Sequence, residues 1–125
     1  MTVLKPSLWR RIVNTWHHDR RRRGCAIDLT PDGFVFKLRW RETAMRWAEI
    51  TRIDVGIRNC LTFDILHVVL FAGDTKVDIE ELDDGFRQFE NGLFEHWPQI
   101  RAGWDVMLKS APHEAHYETL WRRDG

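Results

Sequence analysis

From Gly24 to Ile79 the apolar positions recur mostly at every second residue, and from Phe86 to Leu108 they recur at helical spacing. Cys25, Ile27 and Leu29 predict a first strand. Thr30-Pro31-Asp32-Gly33 predicts a turn, with Pro31 preset for its second position and Gly33 able to take a positive φ. Phe34, Phe36, Leu38 and Trp40 then alternate with Val35, Lys37, Arg39 and Arg41, which predicts a half-buried strand and a hairpin with the first. Met45, Trp47 and Ile50 lead into a third strand, in which Ile53, Val55 and Ile57 alternate with Arg52, Asp54 and Arg58. Residues 63–71 are nearly continuous apolar, as a central strand covered on both faces would be. Ala72-Gly73-Asp74 turns the chain, and Val77 and Ile79 mark a fifth strand.

The helical period follows Asp83 and Asp84, either of which is expected to cap a helix and to complement its dipole. Phe86, Phe89, Leu93, Phe94 and Trp97 form its apolar stripe. Pro98 starts a second helix, with Ile100, Trp104, Met107 and Leu108 facing inward, and Pro112 ends it. Tyr117 to Trp121 reads as a last strand returning to a sheet edge. Ahead of Gly24, Pro6 and Ser7 begin a short amphipathic helix over residues 5–19. Leu8, Trp9, Ile12, Val13 and Trp16 share one of its faces; Arg10, Arg11, Asn14 and His17 face away. The expected fold class is α+β: an antiparallel sheet or partly open barrel of about five to seven strands, with C-terminal helices and an N-terminal amphipathic helix. Residues 1–23 form a basic helical arm and residues 24–125 a single α+β domain.

Composition sharpens this picture at three points. A chain of 125 residues is one domain by length and long enough to bury a core. It holds seven Trp and a single Tyr, and most of those indoles are expected in the core. The zero net charge hides a split: residues 1–23 carry seven basic side chains against Asp19 alone, +6, so the remaining 102 residues carry −6. A basic arm on an acidic body bears on partners and self-association, including a possible homodimer, rather than on fold. Cys25 and Cys60 have no metal-type spacing and are expected as two buried thiols. No secretory signal or membrane-length apolar run is present, so the cytoplasm is the expected location, with membrane association through the arm as an alternative.

Chemistry-bearing motifs are sparse. No phosphate-binding glycine loop or serine elbow occurs. His113 and His116, three apart, could share a metal on a helix, although Pro112 argues for a loop. His67 lies in the middle of an apolar strand, where a lone imidazole is usually a hydrogen-bonded core residue. Glu80, Glu81, Asp83 and Asp84 could bind a divalent cation, favour the helix that follows, or dock the basic arm. The arm carries the sharpest signal. Trp9 and Trp16 beside Arg10, Arg11, Arg20, Arg21, Arg22 and Arg23 have the composition of an interfacial membrane helix. The same stripe could pack on the sheet, meet a protein partner or grip nucleic-acid phosphates, the last disfavoured by the acidic body. No metal or cofactor is expected.

Phe34, the run Trp47-Ala48-Glu49-Ile50-Thr51-Arg52-Ile53, Val77-Asp78-Ile79 and Gly85-Phe86 together resemble small bacterial domains of pleckstrin-homology-like fold. The closing Tyr117-Glu118-Thr119-Leu120-Trp121-Arg122-Arg123 looks like the end of a group of short proteobacterial proteins with the same order of parts. The resemblance spans residues 24–123. It implies a strand meander capped by a helix, and a role in binding lipids or peptides rather than catalysis. Two departures stand out: Pro31-Asp32-Gly33 is short and acidic where a basic phosphoinositide loop would lie, and the helix after Pro98 exceeds the usual single cap. The expected function is a non-catalytic protein-interaction domain of adaptor or immunity type. A peripheral membrane module using the arm, and a metal-dependent enzyme using the carboxylates or histidines, are the alternatives.

Overall fold

The computed structural model describes residues 25–59, 64–109 and 116–123. The chain runs through strands β1 (Ala26–Thr30), β2 (Gly33–Leu38) and β3 (Arg41–Arg46), then a 3-10 turn at Trp47–Glu49. Strands β4 (Arg52–Asn59), β5 (Asp64–Ala72) and β6 (Thr75–Glu80) follow. Helix α1 (Phe86–His96), a 3-10 turn at Pro98–Ile100, helix α2 (Arg101–Lys109) and strand β7 (His116–Arg122) complete it. The α+β expectation holds, with two antiparallel sheets: β1-β2-β3, and a four-stranded sheet in the order β6-β5-β4-β7. No closed barrel forms among the described residues. The N-terminal helix expected over residues 5–19 lies outside them.

Alternation explains most of this. In β4, Ile53, Val55 and Ile57 are buried and Arg52 and Asp54 half-buried. β5 is flanked by β4 and β6 and is buried along its length from Ile65 to Leu70, as its unbroken apolar run predicts. In α1, Phe86, Phe89 and Leu93 turn one stripe inward. The Trp97 N–H closes the helix on the Leu93 carbonyl at 2.8 Å, and the proline that follows holds Trp97 out of helical geometry at φ −127° and ψ 73°. Phe34, Trp47, Phe89 and Trp97 join in an aromatic core, with Phe34 edge-on to Phe89 at 5.1 Å and Trp47 edge-on to Trp97 at 5.8 Å. β7 pairs with β4 at the sheet edge, with an irregularity between Ile53 and Asp54.

Three expectations are corrected. Phe34 to Arg41 is not one strand: the chain reverses at Arg39-Trp40, and Arg41–Arg46 returns as β3. Trp40 therefore lies in a turn and not in the strand. The β1–β2 turn forms where expected, but Gly33 is not at a positive φ. Its lack of a side chain serves a close approach, since a Cβ there would lie 2.1 Å from the Met45 carbonyl oxygen. Neither Asp83 nor Asp84 caps α1; Gly85, left-handed at φ 86°, occupies the N-cap position. On the outer face of the small sheet Asp28 lies 2.8 Å from Lys37 and raises its ammonium pKa, by hydrogen bond first and by charge second. Both side chains are open to water, so the pair adds little to stability.

Candidate functional site

Two places concentrate chemistry. The first is the β5–β6 face around His67. In-register pairing sets Gly56 of β4 and Glu80 of β6 on either side of His67. The imidazole is 0% exposed, with Nδ1 2.9 Å from Asp78 Oδ1 and Nε2 3.6 Å from Glu80 Oε1. Gly56 leaves room for the Tyr117 ring, whose centroid lies 6.3 Å from that of His67; a Cβ on Gly56 would meet the ring at 2.3 Å. Glu80 itself is buried at 2% exposure. A histidine between two carboxylates can hold or relay a proton, but a reacting group must touch its substrate, and this one is closed to solvent.

The expected acidic patch is divided by the fold. Glu80 and Asp83 are buried, Glu81 is half-buried and Asp84 exposed. The Asp83 carboxylate accepts the Glu80 backbone N–H at 2.9 Å, and Glu81 Oε1 accepts that of Leu66 at 2.9 Å. The Asp84 backbone joins β1: its carbonyl accepts the Ile27 N–H at 2.8 Å, and its N–H donates to the Cys25 carbonyl at 3.3 Å. Two carboxylates of the β6-to-α1 connection thus satisfy backbone donors of β5 and β6. Replacing Asp83 with Ala is expected to lower unfolding free energy by about 2 kcal/mol, because a buried N–H loses its acceptor. Asp83→Asn, which keeps an oxygen there, should lose less than half of that in urea titrations.

The second place was not read from the sequence. Leu38 and Arg41 pair across a two-residue turn in which Arg39 takes φ 59°. It is the only non-glycine residue at positive φ among those described. A positive φ at the first turn position alone is the type II′ geometry that normally selects glycine. Trp40 stands at the tip, 88% exposed, with the Arg39 guanidinium 5.9 Å from its ring centroid and Arg41 next to it. Leu38, Arg39, Trp40 and Arg41 line a concavity at this end of the molecule. The alternation in the sequence hid the turn, since neither glycine nor proline marks it.

Of the remaining sequence-derived positions, Trp9, Arg10, Arg11, Trp16, Arg20, Arg21, Arg22 and Arg23 lie outside the described residues, as do Cys60 and His113. The His116 backbone lies in β7 opposite Ile57. Cys25 is a buried thiol. Among the described residues no three His, Cys, Asp or Glu side chains are grouped to hold a metal ion, and no helix is long and apolar enough to cross a membrane. Comparison with family models, curated proteins and solved structures found no match to the chain.

Proposed function

We propose that the protein is a non-catalytic protein-interaction domain that engages its partner through the β2–β3 hairpin tip. The observation that carries this reading is Trp40, held 88% exposed on a turn whose preceding residue is an arginine at positive φ. Trp and Arg are the side chains most enriched at the energetic centres of protein interfaces. A non-glycine left-handed residue costs about 1 kcal/mol or more, and such strain concentrates at functional positions. The partner surface that fits is an apolar socket for the indole, rimmed by carboxylates for Arg39 and Arg41. The acidic balance of residues 24–125 favours a protein over an anionic bilayer, which would repel the body behind the tip.

Affinity capture from the source cell, followed by titration of the purified partner, tests this. Trp40→Ala is expected to weaken binding at least about 30-fold, the loss of one strong anchor of about 2 kcal/mol. Val106→Ser, at another exposed apolar position, should leave binding unchanged. Equal binding by Trp40→Ala, or flotation with anionic vesicles that needs Trp40, would overturn the reading. Arg39→Gly removes the left-handed strain and is expected to stabilise the fold by about 1 kcal/mol while weakening binding. Thermal unfolding and the same titration check the two halves of that expectation.

A further inference from the structure

The three-stranded sheet has two edges, and they differ. β1 is closed on its outer side by the backbone of Asp84, which bonds Ile27 and Cys25. β3 pairs with β2 alone among the described strands. The two-residue turn makes Leu38 and Arg41 a hydrogen-bonded pair, so alternation points the backbone groups of Arg41, Thr43 and Met45 toward β2. The N–H and C=O groups of Glu42, Ala44 and Arg46 therefore point outward. Among the described residues nothing bonds to them, and all three side chains are exposed. An edge in this state is a template for another strand.

We propose that the strand it takes is β3 of a second copy of this chain, antiparallel about a two-fold axis at Ala44. In that register Ala44 meets Ala44, and Glu42 of each copy meets Arg46 of the other. All three outward residues are then in hydrogen-bonded pairs, each exchanging both of its backbone bonds. The charges select this register. Slipping by two residues sets Ala44 against Glu42 or Arg46 of the second copy; slipping by four sets Glu42 against Glu42, or Arg46 against Arg46, and like charges directly opposite are destabilising. The chosen register also extends a row already present on the outer face. Asp28 lies 2.8 Å from Lys37, Lys37 is in register with Glu42, and Arg46 lies 3.1 Å from Asp32. Joining the copies gives Asp28, Lys37 and Glu42 of one, then Arg46 and Asp32 of the other, with the sign alternating at each step. Arg46 contacts Asp32 through Nε, and its terminal nitrogens are left to reach Glu42 of the second copy. Ala44, small and on the axis, lets the two backbones approach. The contact is isologous, so it closes at two copies and leaves no edge of this sheet open.

Sedimentation of the full chain from about 10 μM to about 1 mM tests the pairing, and the chain is expected to be dimeric at the upper end, as a small interface allows. Ala44→Pro removes an outward N–H that the β2–β3 ladder does not use, so it should leave the fold intact and the chain monomeric throughout. Glu42→Arg sets arginine against arginine and should weaken the dimer at least about tenfold. Glu42→Arg with Arg46→Glu restores opposite charges in this register alone and should restore the dimer. A chain that is monomeric at the upper concentration, a dimer that Ala44→Pro leaves intact, or a double variant no better than Glu42→Arg would overturn the proposal. The pairing ends at Glu42 and Arg46, short of Trp40, so Trp40→Ala should not change the dimer, and this inference and the hairpin reading fail separately.

Discussion

Gly85→Ala is expected to cost more than about 4 kcal/mol, enough to leave the chain largely unfolded at ambient temperature. Two effects add at this position. Gly85 has φ 86°, a conformation that a Cβ disfavours, and that Cβ would sit 2.2 Å from the Ile27 carbonyl oxygen. The obstacle is backbone and cannot swing aside: Ile27 is fixed by its hydrogen bond to Asp84 on one side and by its pairing with Phe36 on the other. Relief would separate β1 from the start of α1, whose Phe86 and Phe89 are core residues. Gly73→Ala is the matched control. It has φ 60° but nothing within 4 Å of the added atom, so only the conformational cost of about 1 kcal/mol applies. Urea unfolding of the two variants should therefore differ severalfold in lost free energy. Similar losses would show that conformation alone, not contact with Ile27, sets the cost.

His67→Ala is expected to cost about 3 kcal/mol and to lower the thermal midpoint by about 10 °C. The imidazole is fully buried between Asp78 and Glu80, so its removal leaves a cavity beside carboxylates that lose a polar neighbour. Asp78→Ala removes a group whose side chain is 36% exposed and can be replaced by water, and should cost about 1 kcal/mol. A His67→Ala variant as stable as wild type would mean that the cluster contributes nothing net.

The alternating strands were legible because one face of each is buried: Ile53, Val55 and Ile57 show the pattern in its simplest form. β5 was legible as a doubly covered strand for the opposite reason, having almost no polar residue to turn outward. β3 was not. Arg41-Glu42-Thr43-Ala44-Met45-Arg46 buries only Met45, so an edge strand with a single inward side chain leaves little periodicity to read. Its turn was hidden because Arg39 adopts a conformation that usually announces itself as glycine. The acidic run misled in a different way. Negative charge ahead of a helix normally signals a cap, but here Gly85 enters the helix, and Glu81 and Asp83 accept backbone N–H groups of Leu66 in β5 and Glu80 in β6. Only tertiary pairing with β1 and β5 decides that, and no local pattern carries it. The candidate contact site was missed with the turn, because an exposed Trp in an alternating run looks like a core position.

The hairpin reading is tested most directly by fluorine NMR of the full chain labelled with 5-fluorotryptophan, assigned through Trp40→Phe and Trp104→Phe. Free in solution, the Trp40 signal should show the full shift between light and heavy water, and that of buried Trp104 almost none. On saturation with the captured partner, the Trp40 signal is predicted to move and to lose its solvent shift, with Trp104 unchanged. A Trp40 signal that keeps its solvent shift in the complex would contradict the account, because the indole would then remain in water while the partner is bound.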